Sequence, residues 1–197
     1  MIVNTIADLK SAALPTENYA NVLGYHSTGD GGGGEFYWDS TSTDNENGGT
    51  IFQKTGTATG RWKRIISGAF EVSWFGAKGD GVTDDTTAFQ AAASFLQTIP
   101  SPGFIHSHAV PKLNACSAHG YVITDTIYFK PPVGGRSICF NNTSQLFYNG
   151  VKDRPCIVFE NYSNSDFTIS VIGNSAVNAS TDTSHRYNIP VCYVVQY

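Results

Sequence analysis

The stretch from Val72 to Ala92 reads VSWFGAKGDGVTDDTTAFQAA, and it decides the fold that we expect for this chain. Beyond its aspartates, apolar residues recur at steps of three and four, at Ala88, Phe89, Ala92, Ala93, Leu96 and Ile99. Such spacing places them on one face of a helix. Asp84 and Asp85 stand where a carboxylate accepts the unpaired first-turn N–H groups. The pattern predicts a helix from Asp84 to Ile99, with Phe89 and Leu96 in its buried face.

The composition of the 197-residue chain narrows the class of protein. Only 14% of its residues are charged and 13% are aromatic, whereas soluble domains carry about a quarter charged residues. Disorder and long helical bundles are therefore poor interpretations. The net charge is −4, with no basic cluster denser than Arg61, Lys63 and Arg64, so we expect no nucleic-acid partner. Because there is neither a signal peptide nor a long apolar run, we also expect no secretion by signal peptide and no membrane insertion.

Residues 1–70 alternate short strand-like runs with glycine-rich and polar turns. The predicted strands are Asn21–His26, Glu35–Trp38, Thr50–Lys54 and Arg61–Ile66. The glycine run Gly29–Gly34 predicts a tight turn. No Gly-Lys-Ser/Thr sequence follows it, so it is not a phosphate loop, and we expect no cofactor. A short helix is predicted from Ala7 to Leu14, where Pro15 would stop it.

Short apolar or alternating runs recur after the predicted long helix. They predict strands at Tyr121–Phe129, Ile138–Phe140, Gln145–Tyr148, Cys156–Phe159, Phe167–Val171 and Val191–Val195. Matching Ile127 with Leu146, and Leu146 with Phe167, gives a period near 20 residues. Stacked coils of a β-solenoid have such a period, because each coil buries its inner face against its neighbours.

The stretch from Val72 to Ala92 resembles the segment that opens the right-handed parallel β-helix in the pectate-lyase-like superfamily, which includes phage tailspikes and many polysaccharide-cleaving enzymes. Gly120–Ile127 looks like the first full coil of that family. Upstream, Val22–His26, Gly31–Trp38 and Gly60–Ile65 are similar to the small module that precedes the β-helix in many tailspike-like proteins.

The resemblance implies a mainly β fold in three parts. Residues 1–70 would form a β-rich N-terminal virion-attachment module, and residues 71–103 would lead into the β-helix and supply its capping α-helix. Residues 104–197 would form the first coils of a right-handed parallel β-helix. Since only about three coils fit in this length, we expect the β-helix to continue beyond this chain.

A phage role follows from the same resemblance. It implies the N-terminal part of a tailspike or tail fibre, made in the host cytoplasm, that anchors a trimeric receptor-binding or polysaccharide-degrading β-helix to the virion. The implied partners are further copies of the chain (a homotrimer), phage tail or baseplate proteins and, through the distal part, host surface polysaccharide. Met1–Leu14 is the predicted docking strand or helix. Two alternatives remain: a polysaccharide lyase or glycoside hydrolase of this fold, and a noncatalytic carbohydrate-binding β-helix.

Candidate catalytic carboxylates are few. Asp80, Asp84 and Asp85 form the densest group, but a turn and a helix start favour structural roles. Among the acidic residues of the coil region, only Glu160 and Asp182 lie near one period apart. Glycosidic cleavage requires two carboxylates that converge on one bond. We therefore expect this segment to be non-catalytic, even where the full-length protein is a depolymerase acting as a lyase or glycoside hydrolase.

One group of residues has metal-ligand spacing. His106 and His108, two apart, would share a strand face, and Cys116-x-x-His119 has a spacing found among zinc ligands. Histidines in a loop between the long helix and the first coil are the simpler interpretation. We therefore expect no bound metal.

Overall fold

The computed structural model describes residues 1–13, 18–99, 112–130, 139–151, 154–160, 166–173 and 192–195. Within these ranges the fold is mainly β, with two α-helices and one 3₁₀ helix, which confirms the expected fold class at this level. No helix in the described ranges is long and apolar enough to cross a membrane.

The first sheet has five strands. They are β1 (Ile2–Val3), β2 (Tyr19–Val22), β3 (Gly34–Asp39), β4 (Ile51–Gln53) and β5 (Arg61–Arg64), in the spatial order β1-β2-β3-β5-β4. β1 runs parallel to β2, and the other neighbours are antiparallel. All four strands predicted for this region are present with shifted ends. The sequence does not predict β1, because two residues are too few to show a period.

One face of this sheet carries the core of the N-terminal module. Side chains at alternate strand positions point to the same face, and those on the inner face are buried. The buried apolar residues are Ala20, Val22, Phe36, Phe52 and Trp62 of the sheet together with Ile6 and Leu9. Phe36 and Phe52 meet edge to face with ring centroids 5.7 Å apart.

The first helix, α1 (Ile6–Ser11), is shorter than the predicted span. The Thr5 hydroxyl accepts the Asp8 N–H at 3.1 Å, and the Asp8 carboxylate accepts the Thr5 N–H at 3.0 Å. This capping box satisfies first-turn donors and sets the start of the helix. The helix ends because Ala12 is already extended. Leu14 and Pro15 lie outside the described residues.

A 3₁₀ helix (Val72–Phe75) and the long helix α2 (Thr86–Thr98) connect the first sheet to the rest of the chain. The predicted long helix is confirmed, although it starts after both aspartates. Asp84 accepts the Thr86 N–H at 3.0 Å. The side chain of Asp85 makes no bond to the helix, so the prediction that it caps the first turn is wrong. Its carboxylate oxygens accept backbone N–H groups of the preceding loop instead.

The remaining strands form two parallel sheets. They are β6 (Phe70–Glu71), β7 (Lys112–Ala115), β8 (Tyr121–Ile123), β9 (Ile127–Phe129), β10 (Cys139–Tyr148), β11 (Ile157–Glu160), β12 (Asp166–Gly173) and β13 (Cys192–Val195). One sheet has the order β12-β10-β7-β6, with β8 also paired to β10, and the other has the order β13-β11-β9. All these pairs are parallel.

The register corrects the predicted period near 20 residues. Tyr121 pairs with Leu146, Ile127 with Ile157, and Ile157 with Cys192, so these partners are 25 to 35 residues apart, and the β6–β7 partners are 43 apart. The predicted match of Ile127 with Leu146 joined strands of two different sheets. Sequence pattern marks a strand as apolar but does not say which other apolar strand lies beside it, and connections of unequal length change the spacing.

Helix α2 packs on these sheets and closes the second core. Phe89 is fully buried and Leu96 is 4% exposed. Phe89 meets Tyr121 edge to face at 5.1 Å, and Phe129 of one strand stacks on Phe159 of the next at 4.7 Å. The aromatic stack follows from the parallel register, in which Phe129 and Phe159 are direct partners.

Candidate functional site

The junction between the first sheet and the segment that follows it is organised by Arg64. Its side chain lies on the inner face of β5 and is 5% exposed. The guanidinium donates to the carbonyl oxygens of Gly32 (2.8 Å), Gly33 (2.5 Å) and Gly49 (2.9 Å). Burial lowers the pKa of Arg64 to about 10. Three carbonyl groups, rather than a carboxylate, compensate this buried cation.

The same guanidinium contacts aromatic rings on both sides of the junction. It lies 4.6 Å from the ring centroid of Phe36 in the sheet and 4.7 Å from that of Trp74 in the 3₁₀ helix. A planar guanidinium can donate along its edges while its faces stack on rings, which an ammonium group cannot do. Arg64 thereby couples the sheet to the segment that leads into α2.

The carboxylate of Asp30 shapes the glycine-rich loop whose carbonyl groups accept hydrogen bonds from Arg64, and we call this arrangement the Asp30 clasp. Asp30 accepts four backbone N–H groups, from Tyr25 and Gly32 on one oxygen and from His26 and Ser27 on the other, at 2.7 to 2.9 Å. Desolvation by itself raises the pKa of Asp30, but these four hydrogen bonds outweigh it and the pKa lies below its ordinary value. The clasp fixes the loop whose carbonyls receive Arg64.

Further contacts join the loop to the 3₁₀ helix. The Ser73 hydroxyl donates to the Gly31 carbonyl at 3.0 Å, and His26 Nε2 lies 2.8 Å from the Gly76 carbonyl oxygen. Gly76 ends the 3₁₀ helix at a φ of 92°, a conformation that L side chains rarely adopt. The junction is thus held by polar contacts as well as by Arg64.

The aspartates of the loop before α2 each have their own donors. Asp80 accepts from the Thr83 hydroxyl at 2.7 Å, and this bond is the main cause that lowers the pKa of Asp80 to about 2. Asp84 accepts from the hydroxyls of Thr86 and Thr124 at 2.5 and 2.6 Å. These contacts close the loop and tie it to the segment after β8.

Asp85 is the buried member of this group. It is 2% exposed and accepts the N–H groups of Lys78 (2.7 Å) and Gly79 (3.1 Å). Desolvation raises the pKa of Asp85. Its backbone N–H donates to the Val122 carbonyl at 2.8 Å. The three aspartates therefore organise a loop around backbone and hydroxyl groups, which is a structural arrangement.

Two of the candidate metal ligands lie in the described part of the chain. Cys116 and His119 are both exposed, whereas His106 and His108 lie outside the described residues. Among the described residues, no group of three His, Cys, Asp or Glu side chains is arranged to hold a metal ion. The possible pair of catalytic carboxylates stays a prediction, since Asp182 and the side chain of Glu160 lie outside the described part of the chain.

Two grooves flank the loop after β3. One, of about 460 Å³, runs between residues 44–47 and the α2 residues Ala91, Ser94, Phe95 and Thr98. The other, of about 290 Å³, lies between α1 and Tyr25 and contains the ion pair of Lys10 with Glu46 (2.6 Å). The acidic side chains in both grooves form ion pairs within the chain: Glu46 pairs with Lys10, and Asp44 pairs with Lys63 at 2.8 Å.

Sequence reasoning missed the two central residues of the junction. By sequence, Arg64 is one member of a basic cluster, and Asp30 is one residue of the glycine run predicted to form a tight turn. One signal was available for Arg64. It lies two residues after Trp62, and side chains two residues apart in a strand point to the same face, so Arg64 belongs to the apolar face of the strand. No comparable signal marks Asp30, because its four donors follow from the path of the loop.

Comparison with known proteins assigns the first part of the chain. Residues 2–67 match the family of phage tail protein small four-stranded β-sheet domains. Within this range the strands β2, β3, β5 and β4 are antiparallel neighbours, and β1 is added in parallel. The whole chain is also similar to the Mu-like prophage FluMu defective tail fiber protein of Haemophilus influenzae, with 27% identity over 97% of this chain and 31% of the relative.

Several solved structures with a similar fold are tailspike proteins. The enzymatically active domain of tailspike protein 2 from bacteriophage CBA120 matches with a TM-score of 0.62 and 19% identity, over 100% of this chain and 26% of that chain. A tailspike from Acinetobacter baumannii bacteriophage Fri1, a capsular polysaccharide depolymerase, matches with a TM-score of 0.55 and 17% identity, over 89% of this chain and 36% of that one. The chain thus spans about a third or less of the length of these relatives.

These findings define the class of the protein. Residues 2–67 carry a phage tail protein domain, and the chain as a whole is similar to a phage tail fibre protein and, in fold, to tailspikes. The resemblance to phage tail proteins predicted from Val72–Ala92 and from the upstream segments is confirmed, whereas the right-handed β-helix that it implies stays a prediction.

Proposed function

We propose that residues 1–70 attach a tailspike-type protein to the virion and that residues 71–103 connect this attachment module to a β-helix. The observation that carries the proposal is the junction at Arg64. It joins a phage tail β-sheet domain to Trp74, and so to the segment that opens the rest of the fold, through a buried guanidinium. A module that bears load between particle and receptor needs such a junction.

The part after residue 103 forms, on this proposal, the first coils of a right-handed parallel β-helix that continues beyond the chain. Two features support it. All strand pairs described between β6 and β13 are parallel, and a strand such as β10 has parallel neighbours on both sides. Partners 25 to 35 residues apart also leave room for a coil with more than one strand and its turns.

The whole protein, on this proposal, is a homotrimer that acts on or binds host surface polysaccharide through its distal part. Support comes from structural relatives described as an enzymatically active tailspike domain and as a capsular polysaccharide depolymerase. Catalysis belongs, on this proposal, to the distal part, because the three aspartates of the loop before α2 are occupied by backbone and hydroxyl donors.

Deletion of residues 1–67 from the whole protein tests the attachment role. We expect the purified variant to keep the far-ultraviolet circular dichroism of a β protein and its sedimentation behaviour. Particles assembled without the tail protein, incubated with this variant and pelleted, should carry none of it on an immunoblot, whereas the unmodified protein should pellet with them. Normal recovery of the deletion variant on particles would contradict the proposal.

A further inference from the structure

The face of the first sheet opposite its core is open to solvent. Besides Asp39, Arg61, Ile51 and Gln53, alternation and register place seven further side chains on this outer face: Ile2, Tyr19, Asn21, Glu35, Tyr37, Lys63 and Ile65. Tyr19 and Tyr37 are direct cross-strand partners, and Tyr37 is paired in turn with Lys63. The residues form one continuous surface across β1, β2, β3 and β5.

Large apolar side chains are concentrated on the outer face. Ile2 is 72% exposed, Tyr19 57%, Tyr37 39% and Ile65 39%. Single exposed apolar residues are ordinary, but a contiguous group is typical of an interaction surface. Tyrosine in particular is enriched at protein interfaces, where its ring packs and its hydroxyl bonds.

The charges of the outer face are largely compensated within the chain. Lys63 lies 2.8 Å from both Asp39 and Asp44. Hydrogen bonding to Lys63 lowers the pKa of Asp39 to about 2, so this pairing persists at neutral pH. Glu35 is exposed and forms no ion pair among the described residues. A complementary surface is therefore apolar at its centre, with a lysine or arginine opposite Glu35.

Helix α1 does not offer a comparable surface. Its apolar side chains Ile6 (4% exposed) and Leu9 (0%) are buried in the core of the module, and Lys10 is paired with Glu46. Among the described residues of the predicted docking segment Met1–Leu14, only β1 contributes an exposed apolar side chain to the outer face, through Ile2.

We propose that the outer face binds a structural protein of the phage tail through an apolar patch that carries a basic group opposite Glu35. This inference rests on the proposed attachment function. The face measures about 20 Å by 14 Å from strand spacing and rise, roughly 300 Å², whereas a stable pair of proteins buries about 800 Å² per partner. It is too small to hold a second copy in solution. On a virion the tail protein is fixed in place, and several copies of the chain bind together, so a small face suffices.

The double variant Tyr19→Ser/Tyr37→Ser of the whole protein tests the face. Particles assembled without the tail protein are incubated with the purified variant, and bound protein is measured after pelleting. We expect binding to fall at least about tenfold, because interface tyrosines contribute strongly to binding. The matched controls Tyr128→Ser and Val82→Ser change residues that are 52% and 83% exposed outside the first sheet, and they should bind normally.

The charge reversal Glu35→Lys provides a second, independent variant on an exposed residue. We expect weaker binding, with most of the loss removed at high salt as charges are screened. If Tyr19→Ser/Tyr37→Ser unfolds, the binding of Glu35→Lys to particles tests the outer face by itself.

Three results would overturn the inference. If both face variants bind normally and the deletion of residues 1–67 abolishes binding, the outer face is not the binding surface, but the attachment role of residues 1–67 stands. Normal binding of the deletion variant removes both proposals. A decrease in oligomer mass for the face variants, measured by light scattering, would mean that the face joins copies of the chain instead.

Discussion

Arg64 illustrates how one side chain can join two parts of a fold. It stands in a strand next to exposed residues, yet its guanidinium is buried among three carbonyl groups and two rings. Burying a cation is costly unless its donors are satisfied. A neighbouring glycine leaves the room that Arg64 needs, because a Cβ on Gly34 would lie 2.4 Å from the Arg64 guanidinium.

Replacing Arg64 by lysine should weaken the junction. An ammonium group cannot bond three carbonyls and stack on two rings at once, and we expect a loss of about 2 kcal/mol in the free energy of unfolding. Hydrogen exchange measured by mass spectrometry should increase in residues 31–34 and 72–76. Arg61→Lys is the matched control, since Arg61 is equally buried and donates to carbonyls of Asp44, Ala58 and Gly60. Unchanged exchange in both segments for Arg64→Lys would contradict this role.

The Asp30 clasp predicts a pH dependence with a definite sign. Because the pKa of Asp30 in the folded protein lies below its ordinary value of 3.8, the carboxylate stabilises the fold above pH 3.8. This contribution is lost as the pH falls through the lowered pKa. Asp30→Asn replaces one accepting oxygen by a donor that faces two N–H groups, and should cost about 2 kcal/mol at pH 7. The difference in unfolding free energy from the unmodified chain, measured by urea titration, should shrink below pH 4. A difference that grows on acidification would refute the assignment.

At the scale of elements, α1 belongs to the module core rather than to a free arm. Its capping box holds the first turn, and the helix presents Ile6 and Leu9 to the sheet. A six-residue helix is unstable by itself in water. It persists here because of this packing, so removal of the first fifteen residues would disturb the sheet as well as any docking contact.

Leu9→Ala measures this dependence. Truncating a fully buried leucine should cost about 3 kcal/mol through lost burial and the cavity left behind, seen as a lower midpoint in chemical unfolding. Lys10→Ala, on the exposed side of the same helix, removes only a surface ion pair and should cost less than about 1 kcal/mol. Equal effects of the two substitutions would mean that α1 does not pack as described.

At the scale of the whole molecule, the trimer remains a prediction with a direct test. A low charge content and abundant aromatic residues suit large contacts between copies. Multi-angle light scattering of the full-length protein should give three times the chain mass. A monomer mass at micromolar concentration would contradict the homotrimer.

The absence of catalysis in residues 1–197 is the second prediction at this scale. Purified chain 1–197 incubated with host polysaccharide should release neither reducing ends nor the ultraviolet absorbance of unsaturated uronates. Glycosidic cleavage requires two converging carboxylates, one with a raised pKa. Turnover that disappears in Glu160→Ala or Asp182→Ala, but persists in the control Asp80→Ala, would show that the segment is catalytic.

Local pattern predicted the elements of this protein well. The apolar spacing from Ala88 to Ile99 identified α2 almost to its ends, and alternation identified four of the five strands of the first sheet. Both signals are local, because a helix or strand face is defined by neighbours in sequence. The same holds for the Val72–Ala92 stretch, whose resemblance to the opening segment of tailspike β-helices lies in one contiguous run of residues.

Tertiary structure alone decided which elements meet. Strand partners 25 to 35 residues apart, the donors around Asp30 and the outer face all depend on the path of the chain through loops of unequal length. Asp85 shows the limit clearly: its place before a helix suggested a cap, but the folded loop brings the N–H groups of Lys78 and Gly79 closer to it. The sequence determines which residues seek burial or a hydrogen-bond partner, and only the folded chain brings the partner within reach.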